Sequence, residues 1–179
     1  DDWPLLDKGI NTFTSTYMVR LREVSTVDLT RQLADLTTAL GFNDLPKEVV
    51  QYAKKCVLDH IGVALMGYST DLGRGIAKLM SSLEGQGESS IIGAGNKVSC
   101  VNAPFANGTF AKIPEMEDGH EQLGGFHLGS TIIPAALAVA ECEEASGKEL
   151  LTSVVAGYET AIRVGRAMRT AYNMPSISK

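Results

Sequence analysis

The stretch Pro46-Lys47-Glu48-Val49-Val50-Gln51-Tyr52-Ala53-Lys54-Lys55-Cys56-Val57-Leu58-Asp59-His60-Ile61-Gly62-Val63-Ala64-Leu65-Met66-Gly67 decides the fold class. Val50, Ala53, Val57, Ile61, Ala64 and Leu65 recur at the spacing of a helix that turns one face to a core. Pro46 falls near the first turn, where a missing N–H has no helical partner to lose. Gly67 marks the end.

Helical patterns continue on both sides. Upstream, 26–40 carries Leu29, Leu33, Leu36 and Leu40 and is closed by Gly41 as a C-terminal glycine. Residues 1–25 show no clean period and read as an N-terminal extension, which leaves 26–179 as one domain. Downstream, a shorter helix is expected over 72–83, a brief extended piece at Ser89–Gly93, and a helix rich in small residues over 98–111. Residues 132–140 hold no polar side chain, so a helix capped by Ser130-Thr131, with Pro134 in its first turn, should be buried nearly all round. The last helix, 148–172, lines Leu151, Val154, Tyr158 and Ile162 on one face. Its Gly157, Ala161 and Gly165, four apart, admit the close approach of a second helix. The expected class is mainly α, a helical bundle-like domain with at most one two-stranded element.

At 179 residues the chain can bury one sizeable core. A formal net charge of −5 argues against nucleic acid as partner, and Arg163, Arg166 and Arg169 are too few for a phosphate-tracking surface. The apolar run 132–140 is too short to span a bilayer. The N-terminal residues carry neither a secretory nor a transit pattern, so a cytoplasmic, membrane-free location is expected. Cys56, Cys100 and Cys142 are odd in number and widely spaced, the usage of reduced, mostly buried thiols. No Cys-x-x-Cys pair is present, and no metal is expected. No nucleotide loop or nucleophile elbow is present, and no cofactor is expected.

The chemistry concentrates in Glu115-Met116-Glu117-Asp118-Gly119-His120 and His127, just ahead of the apolar helix. Carboxylates and imidazoles move protons near neutral pH, and a carboxylate beside an imidazole orients it. Asp118 and His120, two apart with Gly119 between them, fit a loop better than a helix, where they would diverge. Glu115 and Glu117 are placed to hold a second proton or steer substrate. The plain alternative is a solvated acidic connection whose histidines merely pack. His60, mid-helix beside the apolar face, reads as a satisfied core or boundary histidine rather than a catalyst. Arg163 follows Glu159 by four, a helical surface ion pair.

Taken in order, several segments resemble the MmgE/PrpD family of 2-methylcitrate dehydratases, cis-aconitate decarboxylases and iminodisuccinate epimerases. They are Thr30-Arg31-Gln32-Leu33-Ala34-Asp35, Leu45-Pro46-Lys47-Glu48, Leu58 to Gly67, Ser90-Ile91-Ile92-Gly93-Ala94-Gly95, Asn107-Gly108, the Glu115 to His120 run, His127, Ile133-Pro134-Ala135-Ala136 and Val155-Ala156-Gly157-Tyr158-Glu159. The resemblance implies the family's large helical domain and a cofactor-independent acid–base lyase acting on small di- or tricarboxylates. The reaction would be dehydration of a 2-methylcitrate-like substrate or decarboxylation of cis-aconitate. By position it implies Glu115, Asp118, His120 and His127 as site residues, with His127 and Asp118 handling protons and His120 and Glu115 positioning substrate.

Three departures stand out. Glu115 is longer than the family's usual aspartate, Lys112 stands where a histidine is common, and Leu128-Gly129 follow His127. The family's chains run on through a lid domain not matched here. The expectation is therefore a fragment or one subunit of a split enzyme, a homo-oligomer or a chain paired with a complementary subunit. A non-catalytic interaction module, or an epimerase of an amino- or imino-dicarboxylate, are the alternatives.

Overall fold

A computed structural model describes residues 28–172 apart from 84 and 121–125, with the helical backbone alone over 169–172. The proposed extension over 1–25 and the Gly124-Gly125 pair lie outside the described residues. Helix α1, Leu29–Thr38, starts on Asp28, whose side chain accepts from the Arg31 N–H. A 3-10 turn, Phe42–Asp44, leads to α2, Lys47–Tyr68. Helix α3, Asp71–Ser82, is capped by Thr70. Strands β1, Ser89–Ser90, and β2, Lys97–Val98, pair antiparallel with Ser89 opposite Val98. Three helices follow: α4, Asn102–Lys112; α5, Gly129–Cys142; and α6, Gly147–Tyr172. The domain is mainly α, as the periodicity implies.

Helix α4 is the axis, packed against α2 on one side and α5 on the other. Its Ala103, Ala106, Phe110 and Ala111 are fully enclosed, together with Ala64, Met80, Ile91 and Val98. Small side chains let the helices come close: a Cβ on Gly67 would lie 1.9 Å from the Phe110 carbonyl oxygen. A second cluster joins α2 to α5 and α6 through Val50, Ala53, Cys56, Ile133, Leu151 and Val154. Asn107 ties α4 to the hairpin, accepting from the Ile92 N–H and donating to the Ser90 carbonyl, both at 2.9 Å.

Several boundaries differ from the periodicity, each for a local reason. Gly41 takes extended backbone (φ −106°) and opens the 3-10 turn instead of closing α1. Gly67 lies inside α2, where close packing explains it. The buried face of α2 runs through Val50, Ala53, Cys56, His60, Ala64 and Gly67, so Leu65, placed on the core face by spacing, is 46% exposed. Residues 98–101 are not helical: Val98 pairs in the hairpin, and the Ser99 hydroxyl accepts from Asn102 N–H at the start of α4. Helix α5 is not buried all round, since Val139 is 53% exposed. On α6 the Ser146–Glu149 side chains form a reciprocal cap. The expected close approach occurs at Gly157, whose absent Cβ leaves room for Ile132. Arg163 pairs with Glu159, but Glu159 is only 11% exposed, so the pair is partly sunk.

His60 is 2% exposed, and neither ring nitrogen has a hydrogen-bond partner among the described residues. It is a core histidine, but not a satisfied one. Burial pushes its pKa down to about 4. The unfolded chain binds that proton with a pKa of about 6.5. Between those values the unfolded state carries more protons, so stability is full above pH 6.5 and falls as pH drops towards 4. The full span corresponds to about 3 kcal/mol. We expect urea unfolding to show this acid-side loss and His60→Leu to remove that component; an identical pH dependence in the variant would contradict it.

Candidate active site

The connection from the end of α4 to the start of α5, described over 113–120 and 126–128, is non-helical at Asp118 and His120, as the sequence predicts. Its first turn is made by Glu115, at φ +54°, a left-handed conformation that few residues other than glycine adopt. The Glu115 N–H reaches back to the Lys112 carbonyl at 3.1 Å. After this reversal Glu117 is buried and Asp118 half-buried, while the Glu115 side chain is 76% exposed. Glu115 stands on the rim, 3.6 Å from Lys112 Nζ.

Asp118 is clamped from two sides. Its Oδ1 accepts the Gly129 N–H at 2.7 Å, and its Oδ2 accepts the Tyr158 hydroxyl at 2.6 Å. The carboxylate thus sits at the N-terminal end of α5, where the helix dipole favours negative charge. Residue 129 must be small, because a Cβ there would lie 2.1 Å from Asp118 Oδ1. Behind Asp118, burial and the neighbouring Asp118 charge raise the Tyr158 hydroxyl pKa. Burial first, then the Asp118 and Asp59 charges, push the Cys56 thiol up to about 12. Such a thiol stays protonated and is no nucleophile.

His127 lies on the outer side, with a side chain 45% exposed. Its Nδ1 is 3.4 Å from Glu117 Oε1, and Lys112 Nζ reaches the same oxygen at 2.7 Å. The Lys112 ammonium pairs closely with this carboxylate, whose side chain is only 2% exposed, while the His127 contact is longer than an ordinary hydrogen bond. The Glu117 carboxylate holds the Lys112 ammonium pKa above its ordinary range. His120 is half-buried, and its N–H donates to the Phe126 carbonyl at 2.9 Å, bridging the two limbs of the loop.

The four residues singled out by sequence therefore separate by depth. Asp118 is anchored at the base, His120 is half-buried, His127 faces outward and Glu115 stands on the rim. Glu117, Lys112 and Tyr158 join them through contacts that spacing alone did not define. Tyr158 was legible as a core-facing position, but its hydroxyl partner lies forty residues away. Among the described residues no group of three or more histidine, cysteine, aspartate or glutamate side chains is arranged to hold a metal ion. No described helix is long and apolar enough to cross a membrane.

Comparison with known proteins bears on the same residues. The family pattern described as the MmgE/PrpD N-terminal domain matches residues 31–175. A cis-aconitate decarboxylase-like protein of Aspergillus oryzae, oryM, is 32% identical over 148 residues, which are 79% of this chain and 30% of that protein. A cis-aconitate decarboxylase of Aspergillus terreus is 27% identical over 145 residues, 78% of this chain and 29% of the relative. The chain thus spans about 30% of the length of these relatives.

The clamp on Asp118 makes a direct claim about stability. Tyr158→Phe leaves Oδ2 without its protein donor, and hydrogen bonds to a charged group are worth about 1.5–3 kcal/mol. A loss of that size is expected in chemical denaturation. No loss would mean that solvent replaces the hydroxyl and that the clamp is not structural.

Proposed function

Because the chain belongs to the MmgE/PrpD family, we propose that it carries the acid–base residues of a cofactor-independent lyase acting on small di- or tricarboxylates. Decarboxylation of cis-aconitate is the favoured reaction, since one relative compared above is named a cis-aconitate decarboxylase and the other a cis-aconitate decarboxylase-like protein. What supports the reading most is the pairing of an outward-facing imidazole, His127, with a buried carboxylate, Glu117, in a loop fixed by Asp118.

In the decarboxylation, the bond from carbon to one carboxylate breaks and CO2 leaves. The electron pair stays on the remaining skeleton as a carbanion, which is quenched by a proton. His127 is suited to deliver that proton because its ring is both exposed and tethered. Asp118 forms the other half of the proton-handling pair, its carboxylate fixed in place by the Gly129 N–H and the Tyr158 hydroxyl. His120 and Glu115 position the substrate from the rim, and Lys112 offers a cation to its carboxylates. Dehydration of a 2-methylcitrate-like substrate would use the same groups, one removing the α-proton and another protonating the departing hydroxyl.

The open face of His127 requires cover from protein beyond these helices, from the same polypeptide or from a second subunit. In that reading the cover comes from within a homo-oligomer or from a complementary subunit.

The test is CO2 release from cis-aconitate by the protein together with any partner it purifies with, in parent and His127→Ala forms. Positioned acid–base groups contribute about 10²–10⁴-fold. A fall of that order with an unchanged circular dichroism spectrum is expected. Equal turnover in the variant would remove His127 from the mechanism. No turnover by the parent, on this or a methylcitrate-like substrate, would favour a non-catalytic module.

A further inference from the structure

We propose that Glu117 is the positioning residue for His127: its buried carboxylate holds the proton on Nδ1 and leaves Nε2 as the nitrogen that meets substrate. The inference deepens the reading of His127 as the proton-exchanging group and rests on it.

Three observations carry it. First, the Glu117 side chain is 2% exposed, and its Oε2 has no hydrogen-bond partner among the described residues. A buried carboxylate left in that state is costly unless it serves a partner. Second, the two cationic or potentially cationic groups near it, Lys112 Nζ at 2.7 Å and His127 Nδ1 at 3.4 Å, converge on the same atom, Oε1. Lys112 supplies the countercharge that keeps a carboxylate tolerable at this depth. The His127 contact is longer than an ordinary hydrogen bond, as such contacts often are before a substrate closes the site. Third, the imidazole rests on Gly119 by one edge: a Cβ there would lie 3.7 Å from Nδ1 and 3.9 Å from Cε1. That edge carries Nδ1 and faces the loop, which leaves Nε2 as the ring nitrogen available to substrate.

The consequence is a fixed tautomer. An imidazole that donates from Nδ1 to a carboxylate keeps Nε2 as acceptor when neutral, so Nε2 takes a proton from solvent and, as imidazolium, the ring gives that proton from Nε2 to the carbanion while Nδ1–H is kept throughout. Glu117 touches no reacting atom in this scheme and acts only through the ring.

The experiment reads the tautomer directly. With histidine labelled by 15N, and the resonances assigned by replacing each of the three histidines in turn, the neutral form of His127 should carry its proton on Nδ1. Glu117→Leu, close in size and without an acceptor, should shift it to the Nε2–H form that free imidazole side chains favour. An Nε2–H tautomer in the parent, or one unchanged by the variant, would overturn the proposal. In the turnover assay, Glu117→Leu should lower kcat on the order of 10–100-fold, the usual cost of removing a partner that orients a histidine. KM should change little, and Glu117→Asp should recover part of kcat. A rise in KM alone would make Glu117 a substrate contact and also overturn the proposal. The tautomer needs no turnover, so an inactive parent would defeat the lyase reading while leaving the role of Glu117 decided by the spectra.

Discussion

The carboxylate of Asp118 is the joint on which the site depends. One oxygen takes the Gly129 N–H and the other the Tyr158 hydroxyl, so a single side chain fixes the loop to the first turn of α5 and to the middle of α6. Each bond is charge-assisted and stronger than a neutral one. The cap also answers a backbone need, because the first N–H groups of a helix have no partner within it. Leu128, Ile132, Tyr158, Ala161 and Ile162 close around this joint as a small apolar cluster. Without the clamp, the loop would hang from α4 by one turn.

That constraint gives the loop two sides with different chemistry. On the inner side, Asp118 faces a layer of hydroxyl and thiol groups whose protons are hard to remove, as burial raises the pKa values of both Cys56 and Tyr158. These groups donate or pack; they do not exchange protons near neutrality. On the outer side, Glu117 and His127 meet within reach of solvent. The exposed imidazole thus lies on the outer side, although carboxylates occur on both. Left-handed Glu115 separates the two by turning the chain where α4 ends.

The helices were legible because their causes are local. Leu151, Val154 and Ile162 recur with the helical period, and Ser146 with Glu149 forms a cap within four residues. The start of α5 was not, because its cap comes from Asp118, eleven residues back. Nor was the register of α2, which is apolar on several faces. Packing against α4 chose the face with Cys56, His60 and Gly67. The loop has no period at all. Its sequence and family resemblance identified where the acids and histidines gather, but depth within the loop follows from the Glu115 turn and the distant Tyr158.

Depth is what distinguishes Glu117 from Glu115. Both are glutamates, both lie within 4 Å of Lys112 Nζ, and the two are separated by one residue. Glu115 occupies the position that family order marks, yet its charge is 76% exposed and shared with solvent. Glu117 is sealed at 2% exposure beside the imidazole. A charge acts roughly fourfold more strongly at the effective dielectric of a protein site than in bulk water. Family order can therefore tell which residues come to the site, whereas burial decides which of them controls the histidine. In this loop the two criteria select neighbouring but different carboxylates. Glu115 stands exposed on the rim, whereas Glu117 lies buried against His127 Nδ1.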